Sequence, residues 1–263
     1  MDLKIKGKVA VVTACSKGLG FAVAEALAAE GVNLAICSRN KEKIAEVADY
    51  LRAMYEVDVL HDVCDVTDNE GIVAFKEKVI ERFKTCDILF TNAGGPKPGK
   101  IEDFTGADFK KAIDLNLMST INLIYAFLPY MKQQKWGRIL ALTSISVKQP
   151  IPTLVLSNVS RAGVVAFIKS LAREVAPLNI TANTIAPGYL MTERVKDLLE
   201  VKAKNEGITY EQARTGTIEL IPVHKIGAPQ DLGALCAFLA SEHASYITGG
   251  THLIDGGMYG GLM

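Results

Sequence analysis

The chain has no excess charge of either sign, with 29 Lys and Arg set against 29 Asp and Glu. Bulk electrostatics therefore supplies no attraction for nucleic acid or for an anionic membrane surface. Cysteine is sparse and odd in number. Cys15, Cys37, Cys64, Cys86 and Cys236 follow no metal-ligand spacing, and neither do His61, His224, His243 and His252. No metal site is expected, and the thiols read as buried and reduced, which fits a cytoplasmic location. No stretch approaches the ~18 consecutive apolar residues of a membrane span, and Met1–Lys8 is too mixed and charged for a signal peptide. Repeats, low-complexity runs and linkers are also missing, so residues 1–263 read as one domain.

What is present is apolar sequence in short, regular doses. Hydrophobic residues fill 49% of the 263 positions, enough for a sizeable core. Strands are expected at Val9–Val12, Leu34–Cys37, Val57 to about Cys64, Asp87–Phe90, Arg138–Leu142, Ile180–Ile185 and His252–Ile254. Between them, helices are expected at Phe21–Glu30, about Lys41–Met54, Thr67 to about Phe83, Ala107–Gln134, about Asn158–Ala176 and Pro229–Ala240. Thr67-Asp68-Asn69-Glu70 carries the spacing of a helix start. Residues 189–226 are more polar and interrupt the alternation, which suggests a helical insertion or lid. Strands alternating with helices imply an α/β fold with a parallel sheet covered on both faces.

Thr13-Ala14-Cys15-Ser16-Lys17-Gly18-Leu19-Gly20 lies between the first strand and the first helix. Glycine there brings backbone N–H groups close to a pyrophosphate, and the helix N-terminus favours the negative charge. At the end of the second strand an acidic residue would hold the ribose of NAD, but this chain offers Arg39. Arg39 and Lys17 together suit the 2′-phosphate of NADP. Solvation of the second helix by Arg39 is the plainer alternative.

The stretch from Leu142 to Gly163 follows an apolar strand and leads into an apolar helix. Residues past the carboxyl end of such a strand face the ligand crevice. Here they supply several hydroxyl groups, one lysine and one arginine. Ser157, ahead of Asn158-Val159-Ser160, also suits a helix N-cap.

Taken together, these segments resemble the short-chain dehydrogenase/reductase family over nearly the full length, and within it the 3-oxoacyl-[acyl-carrier-protein] reductase-like group. The family's glycine motif falls on Thr13 to Gly20, with its first glycine replaced by Ala14. Its adenine-contacting Asp falls on Asp65, followed by Val66, and its Asn-Ala-Gly turn on Asn92-Ala93-Gly94. Its helical Asn falls on Asn116, and its Pro-Gly segment on Pro187-Gly188, with Thr192 beyond. The resemblance implies a Rossmann-type doubly wound parallel sheet of about seven strands, an NADP cofactor with NAD as the alternative, and a homotetramer. Cofactor contacts are implied at Thr13, Ser16, Lys17, Leu19, Arg39, Asp65, Val66, Asn92, Ala93, Gly94, Arg161, Pro187, Gly188 and Thr192.

One departure bears on the chemistry. The family's catalytic serine falls on Ser144, but its tyrosine and lysine fall on Ser157 and Arg161. The family's tyrosine is its general acid/base, with an unperturbed pKa near ~10 that a neighbouring cation lowers. Serine is less acidic and shorter, and arginine keeps its charge and relays protons poorly. Asn116, Ser144, Ser157 and Arg161 remain the candidate catalytic set, with Tyr189 either replacing the phenol or packing under the lid. A carbonyl or alcohol substrate is expected. The alternatives are a nucleotide-binding sensor with little catalysis, and a fold kept only for its oligomer interface. Lys97, Lys100 and Lys148 could flank the mouth and favour an anionic group, although solvated surface lysines are the commoner case, and the interleaved charges around Arg194 read as an exposed helix face.

Overall fold

The computed structural model describes residues 1–262. Its strands are β1 Val9–Val12, β2 Asn33–Ser38, β3 Val59–Val63, β4 Ile88–Thr91, β5 Gly137–Leu142, β6 Ile180–Pro187 and β7 Thr251–Ile254. Its α-helices are α1 Gly18–Ala29, α2 Lys41–Tyr55, α3 Asn69–Phe83, α4 Gly106–Ile113, α5 Ser119–Gln134, α6 Val155–Val175, α7 Glu193–Glu206, α8 Tyr210–Glu219 and α9 Pro229–Ala240. The seven strands form one sheet in the order β3-β2-β1-β4-β5-β6-β7, with every neighbouring pair parallel. The order reverses between β1 and β4, which opens a crevice beyond their carboxyl ends.

The uninterrupted apolar runs of the strands follow from burial on both faces. In β1, Ala10 and Val12 join the core built with Leu27, Ile44 and Leu232, on α1, α2 and α9. Val11 points the other way, to Phe75, Phe127 and Ile168 on α3, α5 and α6. Each such buried side chain contributes roughly 1.5–3 kcal/mol through removal from water. Gly106–Gln134 and Val155–Leu178 reach the length and hydropathy of a membrane span. Their apolar side chains, Leu123, Phe127, Ile168 and Leu171 among them, pack into this second core.

Several expected boundaries shift, each for a local reason. α1 starts at Gly18 and not at Phe21, because Gly18-Leu19-Gly20 form its first turn. Asp68, not Thr67, caps α3, accepting from the backbone N–H of Glu70 at 3.1 Å. The expected helix 107–134 is interrupted by a π-helical turn, Asp114–Met118, that contains Asn116. α6 begins at Val155, so Ser157 lies inside the helix and its cap position belongs to Leu154. Residues 189–226 carry α7 and α8, and their ends meet where Leu190 bridges to Gly227.

Candidate active site

A cavity of about 780 Å³ lies over the carboxyl ends of the strands. Its size suits a dinucleotide plus a small substrate. One end is the turn between β1 and α1. Ala14 adopts the left-handed backbone there, with φ +50°. That conformation costs an L-residue roughly 1–2 kcal/mol. Gly20 is required by closeness, since a Cβ there would sit 2.5 Å from the Ala14 carbonyl oxygen. The N-terminus of α1 opens onto the cavity, with Ser16, Lys17 and Leu19 on its wall.

Arg39, Asp65 and Val66 line the adjoining stretch of wall. The Asp65 carboxylate accepts from Thr67, from the backbone N–H at 3.0 Å and the hydroxyl at 2.8 Å. That backbone bond most of all holds its pKa below the ordinary carboxylate value, with Thr67 Oγ1 and Arg39 assisting. Arg39 is exposed at the rim. Lys17 instead pairs with Glu193 at the start of α7, and both side chains stay largely in solvent.

Of the cofactor and catalytic candidates named from the sequence, all but Thr13 and Asn116 line this cavity. Thr13 is fully buried behind it; its hydroxyl donates to Asn92 O at 2.7 Å and accepts from Asn92 N at 2.9 Å. Asn116 also lies behind the wall. Its Nδ2 donates to Gly94 O at 3.3 Å, and its Oδ1 accepts from Ser160 Oγ at 2.9 Å. Both residues therefore position the Asn92–Gly94 turn. Lys97, Lys100 and Lys148 are absent from the lining.

At the far end are Ser144, Ser157, Arg161, Pro187, Gly188 and Tyr189. Ser144 Oγ accepts from Ser146 N at 3.1 Å, which leaves its proton free. Ser157 is only 7% exposed, and its hydroxyl makes no hydrogen bond among the described residues. Arg161 is equally buried, and its Nη1 donates to Leu142 O at 3.0 Å and Thr143 O at 2.9 Å. No carboxylate pairs with it among the described residues. Burial first, and then the charge of Arg194, push its pKa down to about 10. Tyr189 is half-buried against the cavity, and burial raises its phenol pKa.

Arg194 is the residue that sequence reasoning missed. Its neighbours alternate in charge like a solvated helix face, yet its guanidinium folds back over the turn after β4. Nη2 donates to Pro96 O at 2.7 Å, and a Cβ on Gly95 would meet it at 3.3 Å. Burial lowers its pKa, and Asp197 offsets part of that effect. No group of histidine, cysteine and carboxylate side chains that could hold a metal occurs among the described residues.

Comparisons with known proteins agree with this geometry. A family model described as enoyl-(acyl carrier protein) reductase matches residues 13–259. The 3-oxoacyl-[acyl-carrier-protein] reductase FabG of Escherichia coli (strain K12) is 32% identical over 257 residues, covering 98% of this chain and 99% of that protein. The D-beta-hydroxybutyrate dehydrogenase of Cupriavidus necator is 33% identical over 259 residues, with 96% and 98% covered. Among solved structures, L-sorbose reductase from Gluconobacter frateurii, complexed with NADPH and L-sorbose, superposes with a TM-score of 0.95 at 32% identity, covering 100% of both chains. NAD+-bound xylitol dehydrogenase gives a TM-score of 0.90 at 27% identity, covering 97% of this chain and 100% of that one. With a seven-stranded parallel sheet and a full-length match to such relatives, the chain belongs to the short-chain dehydrogenase/reductase family.

Proposed function

We propose that the protein is an NADP(H)-dependent oxidoreductase acting on C=O and CH–OH groups, with a proton route modified from the family pattern. One observation carries this: a single cavity joins the open N-terminus of α1 to Ser144, Ser157 and Arg161. The wall fits a dinucleotide. The close approach of Gly20 to Ala14 leaves that helix end bare, and Arg39 at the rim offers a guanidinium to a 2′-phosphate. Asp65 and Val66 would flank the adenine, Asn92 to Gly94 the nicotinamide ribose, and Pro187, Gly188 and Thr192 the carboxamide. A bound nicotinamide supplies hydride to a carbonyl carbon, or takes it from an alcohol.

The protein's own groups manage the charge and the proton. By the family resemblance, Ser157 and Arg161 stand where a tyrosine and a lysine are expected. Ser144 and Ser157 present hydroxyls to the cavity, and each can donate to a developing alkoxide. Arg161 stays cationic at neutral pH, so it stabilises negative charge there without releasing its own proton. The net proton then comes from water through the two serines. Tyr189 supports a second source, since its phenol borders the same space. Loss of a positioned acid/base costs ~10² to 10⁴ in rate, so slow turnover is expected.

The chain, residues 1–263, is one domain in which α7 and α8 act as a lid over the substrate. The Lys17–Glu193 pair and the Arg194–Pro96 bond, both spanning from α7 to the sheet's loops, support it. Exposed Met118 and Tyr125, at the junction with and within α5, and Val159 on α6 support self-association of these helices in a homotetramer. A cytoplasmic location fits the five free thiols.

Calorimetric titration with NADPH and NADH, followed by a screen of ketones and secondary alcohols, tests the proposal. Tighter NADPH binding with turnover supports it. NADPH binding without any turnover favours a sensor on the same fold, and no binding of either nucleotide removes both readings.

A further inference from the structure

The substrate end of the cavity is built for more than a carbonyl. Two arginines line it, Arg161 on α6 and Arg194 on the first turn of α7. Each has one Nη fixed to backbone carbonyls, Arg161 on Leu142 and Thr143 and Arg194 on Pro96. Neither has a carboxylate within ion-pair distance among the described residues. Asp197 lies near enough to Arg194 to be felt, but on the same exposed helix. The acidic side chains on the cavity wall are Asp65, beside Arg39 at the nucleotide end, and Glu193, paired with Lys17. A 93%-buried guanidinium without a counter-ion, sharing its cavity with a second one whose charge it feels, is an unmet charge.

The nucleotide does not account for both. Its pyrophosphate belongs at the start of α1, where Thr192 also lies; a Cβ on Gly18 would meet the Thr192 methyl at 3.6 Å. Arg194 is folded away from that point, onto Gly95 and Pro96 past the end of β4. The wall of the same cavity also carries Ser144, Ser157, Leu154, Met191 and Leu198, two hydroxyls and three apolar side chains.

We infer that Arg161 and Arg194 together bind the carboxylate of the substrate, which makes the substrate a short oxo acid or the corresponding hydroxy acid. The inference rests on the reductase reading. Arginine's fork matches a carboxylate in two parallel hydrogen bonds, and the desolvated site makes them strong. The carboxylate takes no part in bond making. It anchors the molecule so that the adjacent carbonyl oxygen meets Ser144 and Ser157, with the short tail among Leu154, Met191 and Leu198.

Two measurements separate this inference from the reading beneath it. The first compares NADPH oxidation by pyruvate, 3-oxobutanoate and 4-oxopentanoate with that by their methyl esters. The second titrates oxamate, an unreactive carboxylate, into the protein–NADPH complex by calorimetry. At least one acid should exceed its ester in kcat/KM by about 10- to 100-fold, as charge-assisted hydrogen bonds allow. Oxamate should bind, and Arg194→Met should abolish that binding and the acid preference through KM. NADPH affinity should hold, and Arg194→Lys should recover part of the loss.

Turnover of neutral ketones and esters with no acid preference overturns the inference and leaves the reductase reading standing. Oxamate binding that depends on Arg194, without turnover of any carbonyl compound, supports the anion site and removes the reductase reading. Parallel loss of NADPH and oxamate affinity in Arg194→Met assigns Arg194 to the nucleotide and overturns the inference. So does the absence of oxamate binding in the native protein.

Discussion

Lys17, at the cap of α1, holds Glu193, the first residue of α7, across the mouth of the cavity. The pairing lowers the Glu193 pKa, with the hydrogen bond from Lys17 as the main cause. A phosphate approaching α1 competes with Glu193 for the same ammonium. Glu193→Gln should therefore tighten NADPH binding by about 2- to 5-fold at low salt, with the gain fading as salt screens the pair. Calorimetry at two ionic strengths checks this, and weaker binding in the variant would show that the lid contact matters more than the competition.

Arg39 gives the second expectation. The end of β2 carries Arg39 and no acidic residue to receive a ribose hydroxyl, so discrimination is expected to rest on the 2′-phosphate. Arg39→Ser should weaken NADPH binding by about 10- to 100-fold and change NADH binding little. Equal losses for both nucleotides would point to a general role in holding the adenine.

The proton route is tested at Ser157 and Arg161. Ser157→Tyr with Arg161→Lys should raise the rate by ~10² to 10⁴. Ser144→Ala and Ser157→Ala should each slow the native protein. Rates that ignore both alanine substitutions would shift attention to Tyr189, and Tyr189→Phe then becomes the deciding variant.

Arg161 also sets a pH expectation. Its pKa in the folded protein, pushed down to about 10, lies below the ordinary guanidinium value. The unfolded chain therefore binds this proton more tightly, so the buried charge costs stability at neutral pH. That cost is relieved as pH rises through about 10, between the folded and unfolded values. Carboxylate binding runs the other way, steady through the neutral range and lost as the guanidinium discharges. Oxamate titrations across alkaline pH follow it; a fall centred near neutrality would implicate another group.

A fourth site tests the fold alone. Arg138 is fully buried, stacks on Trp136 at 4.3 Å, and donates to Asn179 O at 3.0 Å and Gly137 O at 2.9 Å. Lys8 also lies over the Trp136 ring, at 4.1 Å. Arg138→Met removes the guanidinium donors to these carbonyls and should destabilise the protein by about 3 kcal/mol. Urea unfolding followed by Trp136 fluorescence reads it, and a loss below about 1 kcal/mol would mean the neighbouring groups find other partners.

The sheet was legible because burial on both faces leaves an unambiguous mark, as in Val9–Val12, where every residue is apolar and the strand ends match the expectation. Signals that depend on short-range geometry read less well. Gly18 looks like loop in a sequence, although a glycine can equally open a helix. Ser157 looks like a cap, but α6 begins two residues before it, with Leu154 at the cap, which no propensity scale would choose. Thr13 and Asn116 were identified, yet their hydrogen bonds reach the cavity only through Asn92 and Gly94. Arg194 was lost because charge alternation along a helix says nothing about which member bends back across a glycine turn.

The left-handed Ala14 has a further consequence. A glycine there would adopt φ +50° without penalty, whereas the alanine methyl makes the same backbone costly. The packing of the folded chain, and not the local backbone preference, therefore holds this turn in the shape that meets a phosphate.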